Sequence, residues 1–207
     1  MPNYRRVRDG NTWFFTVVAK HRALILTQPA VRHILEEVLV ELRRNHPFQI
    51  QAWVLLPDHI HCIWRLPEND VQYSMRWGWL KKEVTKRLGK RESIWQPRFW
   101  EHQIRDDRDY AAHCDYIHYN PVKHGLVTVP RDWPWSTFHR FMRAGIYSPS
   151  WGSEEIPIPD GVGHEWGGLC PPTGMAGTAC PTILFCEIPL ASQRSRGLLH
   201  TPCASAA

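Results

Sequence analysis

A hydrophobic β-hairpin is predicted at residues 48–66, which read FQIQAWVLLPDHIHCIWRL. The first half alternates at its start and then becomes fully apolar, as expected of a strand in the centre of a sheet. Pro57 and Asp58 mark the turn, and residues 59–66 alternate again. Strands joined by a tight turn pair antiparallel, so this segment predicts the middle of an antiparallel sheet.

Further elements are predicted on either side of the hairpin from apolar periodicity and from Pro and Gly signals. They are strands at 12–19 and 99–105, helices at 29–45, 71–88 and 107–119, and a short helix within 131–145. The order is β-α-β-β-α-β-α. It predicts the α+β class, as a ferredoxin-like (RRM-like) sandwich with an antiparallel sheet and an added C-terminal helix.

Charge divides the 207 residues into two parts. Residues 1–150 hold 23 Lys and Arg against 15 Asp and Glu, a balance of +8, whereas residues 151–207 hold 2 against 5, a balance of −3. Pro and Gly make up 15 of the last 57 residues, a fraction typical of irregular chains. We therefore expect a basic, folded domain at 1–150 and a Pro/Gly-rich, irregular or disordered tail at 151–207. The basic domain indicates a nucleic-acid partner.

No membrane partner is expected. The sequence has no apolar run of about 18 residues and no apolar core behind the basic residues of its N-terminus. These features favour a cytoplasmic protein.

His59 and His61 are candidate metal ligands. Residues i and i+2 of a strand face one side, so the two imidazoles would point together and begin a divalent-metal site. The alternative is that they are ordinary surface or hydrogen-bonded histidines in a chain with 12 of them.

Tyr116 and Asn120 form a second candidate pair. They lie four residues apart on one face of the predicted helix. A tyrosine needs a nearby cation or metal to act as a nucleophile, and Asn120 offers a carbonyl oxygen as a third metal ligand. Tyr119 and Tyr110 remain rival nucleophiles. Proline disfavours the helical conformation in the preceding residue, so Pro121 threatens this geometry.

Basic side chains are the candidate DNA contacts. One group lies at the start of the chain and a second lies in the helix that precedes Trp95. The second group is interleaved with aromatic residues, which suit unpaired bases. The predicted DNA-binding residues are Arg5, Arg6, Arg8, Arg76, Lys81, Lys82, Lys86, Arg87, Arg98 and Arg105.

Five segments in order resemble one family. They are NYRR (3–6), FFTVV (14–18), LLPDHIHCIW (55–64), WQPRFWEHQIRDDRDY (95–110) and YIHYNPVKHGLV (116–127). Together they are similar to the REP-associated tyrosine transposases, which are single-tyrosine HUH transposases related to insertion-sequence enzymes; REP stands for repetitive extragenic palindrome. The resemblance runs from about residue 3 to residue 152.

The resemblance implies a metal-dependent DNA endonuclease and strand transferase acting on single-stranded hairpins of palindromic repeats. By motif position, Tyr116 is the nucleophile that forms a 5′-phosphotyrosine. His59, His61 and Asn120 hold Mg²⁺ or Mn²⁺. It also implies a monomer that associates with the nucleoid. Two alternatives stay open: a non-catalytic hairpin-binding protein on the same fold, and an unrelated metallohydrolase that uses the histidine pair.

Overall fold

The computed structural model describes residues 11–158, 161 and 162, and its centre is a four-stranded antiparallel sheet. The strands are β1 (Thr12–Val18), β2 (Gln49–Leu55), β3 (His59–Arg65) and β4 (Trp100–Gln103). They lie side by side in the order β2-β3-β1-β4. The predicted hairpin supplies β2 and β3. The predicted ferredoxin-like α+β fold is confirmed.

Helices α1 (Pro29–Asn45) and α2 (Tyr73–Arg87) cover one face of the sheet. The alternation of each strand sends Phe15, Cys62 and Trp64 to this side, where they join the apolar residues of both helices. Trp64 stacks on Trp77 of α2 with ring centroids 4.1 Å apart and planes 11° apart. This face is therefore a closed apolar core.

The opposite face is covered by α3 (Asp107–Lys123) and α4 (Phe138–Arg143). Asp106 caps the start of α3, because its carboxylate accepts a hydrogen bond from the backbone N–H of Asp109 at 2.8 Å. Phe14, Ile63 and Tyr116 belong to the core on this side. In the described part of the chain, no helix is long and apolar enough to cross a membrane.

Helix α3 is longer than the sequence predicted. It continues through Pro121 to Lys123, because a proline near the end of a helix sacrifices a single backbone hydrogen bond there. The end is set by Gly125, whose φ is +64°. The backbone N–H of Gly125 donates to Val122 and that of Leu126 donates to Pro121, at 2.8 and 2.9 Å, a Schellman motif.

The packed region also extends past residue 150. Trp151, Ile158 and Val162 pack against the core beneath α3 and α4, and the Trp151 ring lies 4.2 Å from that of Tyr147. The predictions for Arg5, Arg6 and Arg8, and for the tail beyond residue 162, lie outside the described residues.

Candidate active site

Two histidine side chains leave β3 on the face that α3 covers. His59 and His61 are separated by one residue, so the pleat of the strand directs both to the same side. Their ring centroids are 4.7 Å apart and their planes cross at 81°. Both are buried, with 5% and 2% of their surface exposed. The strand thus brings the two imidazoles of the HIH segment together.

Helix α3 lays Tyr116 against this pair. The ring of Tyr116 lies 5.0 Å from that of His61, with the planes at 68°. One turn later, the side-chain amide of Asn120 donates to the carbonyl oxygen of Tyr116 at 3.1 Å. The Oδ1 atom of Asn120 is buried and has no hydrogen-bond partner among the described residues. A buried polar atom in that condition is costly, so a ligand for it is expected.

The two rival tyrosines of α3 have other surroundings. Tyr119 contacts the ring of Trp151 at 6.5 Å, and Tyr110 lies beside Cys114. Tyr116, in contrast, has its ring against that of His61. The geometry favours Tyr116 as the tyrosine of the site.

A chain of hydrogen bonds orients His59. Its Nδ1 lies 2.6 Å from Oδ1 of Asp58, and Oδ2 of Asp58 accepts from Arg22 at 2.9 Å. Burial alone would raise the pKa of the Asp58 carboxyl, but the hydrogen bonds and charges of His59 and Arg22 outweigh it and the pKa is lowered. The ionised carboxylate can only accept, so Nδ1 of His59 donates to it, and Nε2 is the ring nitrogen not used in this hydrogen bond.

His61 is held in a similar way. Its Nδ1 lies 2.9 Å from the hydroxyl of Thr16, which is its neighbour across β1. Burial lowers the pKa of His61 well below 6.5, and the positive charges of the groups around it lower it further; these groups are His59, His124, Lys123 and Arg22. His61 is therefore a neutral imidazole, the form that binds metals.

A second group of ligand-type side chains joins β4 to α3. His102, Asp109 and His113 bring their nitrogen and oxygen atoms within 4.8 Å of one another. Asp109 accepts from His102 at 2.9 Å and from Arg105 at 3.2 Å. The two imidazole planes are 15° from parallel with centroids 4.7 Å apart. The group is joined by hydrogen bonds, but Nε2 of His113 is buried and has no hydrogen-bond partner among the described residues. The three side chains are therefore a second set of metal-ligand type beside the histidine pair.

Known proteins are similar in sequence to this chain over most of its length. The family model described as "Transposase IS200 like" matches residues 12–120. A REP-associated tyrosine transposase of Escherichia coli K12 is 48% identical over 157 residues, which cover 74% of this chain and 93% of that protein. The chain belongs to the IS200-like transposase family. A relative of this transposase in Haemophilus influenzae is 44% identical over 173 residues and covers 73% and 94% of the two chains.

A solved structure has the same fold as this chain. It is the structure of a REP-associated tyrosine transposase bound to a REP hairpin. Its TM-score is 0.65 and its sequence identity 45%, over 79% of this chain and all of the other. The resemblance found from the five sequence segments is therefore confirmed.

The family indicates use of a divalent metal, and three side chains of the site fit one. His59 has its Nδ1 engaged with Asp58, and His61 has its Nδ1 engaged with Thr16, which is how metal-binding histidines are commonly held. The partnerless Oδ1 of Asn120 supplies a buried amide oxygen. Two imidazole nitrogens and a neutral oxygen are acceptable donors for a divalent ion with open positions.

Two of the predicted DNA contacts are buried. Arg76 is 3% exposed and donates to Asp70 at 2.6 Å. Lys81 is 9% exposed and donates to the carbonyl oxygens of Gln96 and Arg98 at 2.9 and 3.3 Å; burial lowers its pKa to about 8. The prediction that they bind DNA does not fit these positions. Arg76 bonds to the loop before α2, and Lys81 bonds to the loop before β4.

The other predicted contacts on α2 lie across the sheet from Tyr116. Lys82 and Lys86 are exposed, and Arg87 pairs with Glu41 and Glu83. Helix α2 covers the face that Trp64 and Cys62 share, whereas His61 points the opposite way. Of the remaining predicted contacts, Arg98 is exposed, and Arg105 bonds to Asp109 while 73% of its side chain stays exposed.

Several residues of the site were missed from the sequence. Thr16, Asp58 and Arg22 orient the histidines, and His124 places its ring 5.2 Å from that of His59. Lys123 holds its ammonium 5.3 Å from the ring centre of Tyr116. Signals existed for two of them: Asp58 directly precedes the HIH segment, and Lys123 lies two helical turns after Tyr116.

Proposed function

We propose that this transposase cleaves and rejoins single-stranded DNA at hairpins of palindromic repeats, with Tyr116 as the nucleophile. The observation that carries the proposal is the packing of Tyr116 against His61, at 5.0 Å, beside a second imidazole. The substrate is suggested by relatives named REP-associated tyrosine transposases and by the relative solved with a REP hairpin.

The reaction proposed is a reversible exchange of phosphate esters. The Tyr116 oxygen forms a bond to phosphorus, the bond from phosphorus to the 3′ oxygen breaks, the phenol proton leaves to solvent and the 3′ oxygen takes a proton. The product is a 5′-phosphotyrosine and a free 3′ hydroxyl. Because one phosphodiester replaces another, a 3′ hydroxyl can reverse the step without ATP, which splits strand transfer into two similar exchanges.

Each residue of the site has one part in this proposal. A divalent ion, Mg²⁺ or Mn²⁺, would be held by His59, His61 and Asn120 and would act as a Lewis acid on the scissile phosphate. Asp58 and Thr16 fix the imidazole rings. Helix α3 holds Tyr116 in place through its apolar contacts with the sheet. The nucleophile therefore loses little conformational entropy when it reacts.

We also propose that one chain is sufficient and that it works on DNA in the cytoplasm. Tyr116 and the two histidines belong to the same chain and already lie in contact. A second copy is therefore not needed to complete the site, which supports a monomer. Residues 1–150, with the segment that packs after them, are proposed as the catalytic unit.

The test is covalent capture of a labelled single-stranded REP-type hairpin. With Mn²⁺ or Mg²⁺ we expect a protein–DNA adduct that survives denaturation, and with EDTA we expect none. Tyr116→Phe should abolish the adduct and leave hairpin binding unchanged, because the ring stays and the attacking oxygen is removed. Tyr119→Phe is the matched control and should still form the adduct. A Tyr116→Phe protein that still becomes linked to the hairpin would refute the assignment.

A further inference from the structure

We infer that Lys123 receives the scissile phosphate beside Tyr116 and stabilises the charge that develops on it. The inference deepens the proposed function and rests on it. Lys123 is in the last turn of α3, seven residues after Tyr116 and three after Asn120. Seven residues are nearly two full helical turns, so all three side chains leave the helix on one side.

Lys123 differs from the other members of the site in its exposure. Tyr116 and Asn120 are 1% and 0% exposed, whereas Lys123 is exposed to solvent. Its ammonium lies 5.3 Å from the centre of the Tyr116 ring. A DNA strand that approaches the buried tyrosine from solvent on this side therefore meets a cation that lies over the tyrosine ring.

Position distinguishes Lys123 from the other groups around the histidines. The ring of His124 lies 5.2 Å from that of His59. Arg22 is held by Asp58 at 2.9 Å in a partly buried ion pair, and Asp58 in turn bonds to His59. Lys123 is the permanent cation that lies at the tyrosine itself. It is therefore placed to meet an anionic phosphate on the nucleophile's side of the site.

The chemistry needs such a group. Attack of the tyrosine oxygen places additional negative charge on the non-bridging phosphate oxygens. In the reverse step the tyrosine oxygen is the leaving group. An ammonium held near the tyrosine ring stabilises this developing charge more than the bound substrate, which is the condition for raising the rate. No atom is transferred to or from Lys123.

The test separates chemistry from binding. Lys123→Ala should lower the single-turnover rate of adduct formation at saturating hairpin and metal by roughly 100-fold. Hairpin affinity in EDTA should change little, since one phosphate contact among many is lost. Lys123→Arg should recover most of the rate because it keeps the cation. Lys90→Ala, an exposed lysine beyond the end of α2, is the matched control and should react like the unaltered protein.

A second substrate excludes a purely structural role. A hairpin with a methylphosphonate at the scissile position lacks the anionic oxygen that Lys123 would contact. On this substrate the difference between the unaltered protein and Lys123→Ala should largely disappear. A difference that persists undiminished, or equal rates on the natural phosphate, would overturn the role of Lys123 alone. If the unaltered protein forms no adduct on the natural phosphate, the proposed function and this inference are both overturned.

Discussion

Asp58 is the residue that orients His59, the first of the two histidines. It is 3% exposed, and both of its oxygens are in use, one on His59 at 2.6 Å and one on Arg22 at 2.9 Å. A carboxylate behind a metal-binding histidine fixes the ring and raises its basicity. Arg22 adopts a left-handed backbone conformation, with φ at +50°, so the backbone is strained where it brings the guanidinium to Asp58.

Asp58→Ala is expected to weaken Mn²⁺ binding by roughly 10- to 100-fold, because the His59 ring loses its anchor. Asp58→Asn should weaken it less, since the amide oxygen still accepts from Nδ1. Isothermal titration of the DNA-free protein measures both. Asp70→Ala is the matched control: Asp70 also pairs with an arginine, Arg76 at 2.6 Å, but on the far side of the sheet. Equal Mn²⁺ affinities in Asp58→Ala and Asp70→Ala would contradict the role of Asp58.

At the scale of the element, the end of α3 decides where Asn120 and Lys123 stand. Gly125 closes the helix at φ +64°, where a residue with a Cβ atom pays roughly 1–2 kcal/mol. Gly78 is the useful contrast: it lies inside α2, is exposed, and a Cβ atom there would contact nothing within 4 Å. In a helix interior, alanine is favoured over glycine by about 1 kcal/mol.

The same substitution is therefore expected to act in opposite directions at these two glycines. Gly125→Ala should lower the free energy of unfolding by roughly 1 kcal/mol, and Gly78→Ala should raise it by up to about that amount. Urea unfolding followed by circular dichroism measures both. A Gly125→Ala protein as stable as the parent would show that the left-handed closure of α3 is not maintained in solution.

Local pattern was enough to predict the elements, the histidine pair and the Tyr116–Asn120 spacing, whereas the choice of Tyr116 over Tyr119 and Tyr110 came from the family resemblance. Two further kinds of information were not local. Pro121 suggested an early end to α3, although the His124–Gly125 pair held the real signal for its end. The basic side chains of α2 were expected to bind DNA. Strand β3 is buried on both faces, so its alternation does not reveal which face meets α2.

The contacts that support the histidines could not be predicted for a related reason. Thr16 and His61 are 45 residues apart and meet through the register of β1 with β3. Nothing in the local pattern of either strand sets that register. Arg22 reaches Asp58 only because the chain after β1 turns back across the end of the sheet.

At the scale of the whole molecule, the sheet separates two halves of different chemistry. The half under α1 and α2 is an apolar core with an ion pair at its surface, Arg87 with Glu41, and a buried arginine, Arg76, that pairs with Asp70. The half under α3 and α4 contains several buried histidines. Among them His118 is fully buried, with its ring nitrogens 3.1 Å from the hydroxyl of Tyr147 and 2.9 Å from that of Thr137.

Buried histidines make the stability of this fold sensitive to acid. Burial lowers the pKa of His61 and His118 well below 6.5, and burial also lowers that of His113. Each is neutral in the folded chain and regains a pKa of about 6.5 when the chain unfolds. Below that pH the unfolded chain binds more protons than the folded one. Their contribution to stability is therefore complete above pH 6.5 and is lost as the pH falls below it.

Urea unfolding in EDTA at several pH values between 7.5 and 5.5 measures this effect. We expect a nearly constant free energy of unfolding above pH 7 and a steady fall below 6.5, because the unfolded chain takes up protons that the three buried rings do not. His113→Gln should make the slope less steep. His33→Gln is the matched control: 72% of the His33 side chain is exposed, so folding changes its surroundings little and the slope should remain. A free energy of unfolding that stays constant or rises as the pH is lowered over this range would contradict the claim that the three buried imidazoles are neutral.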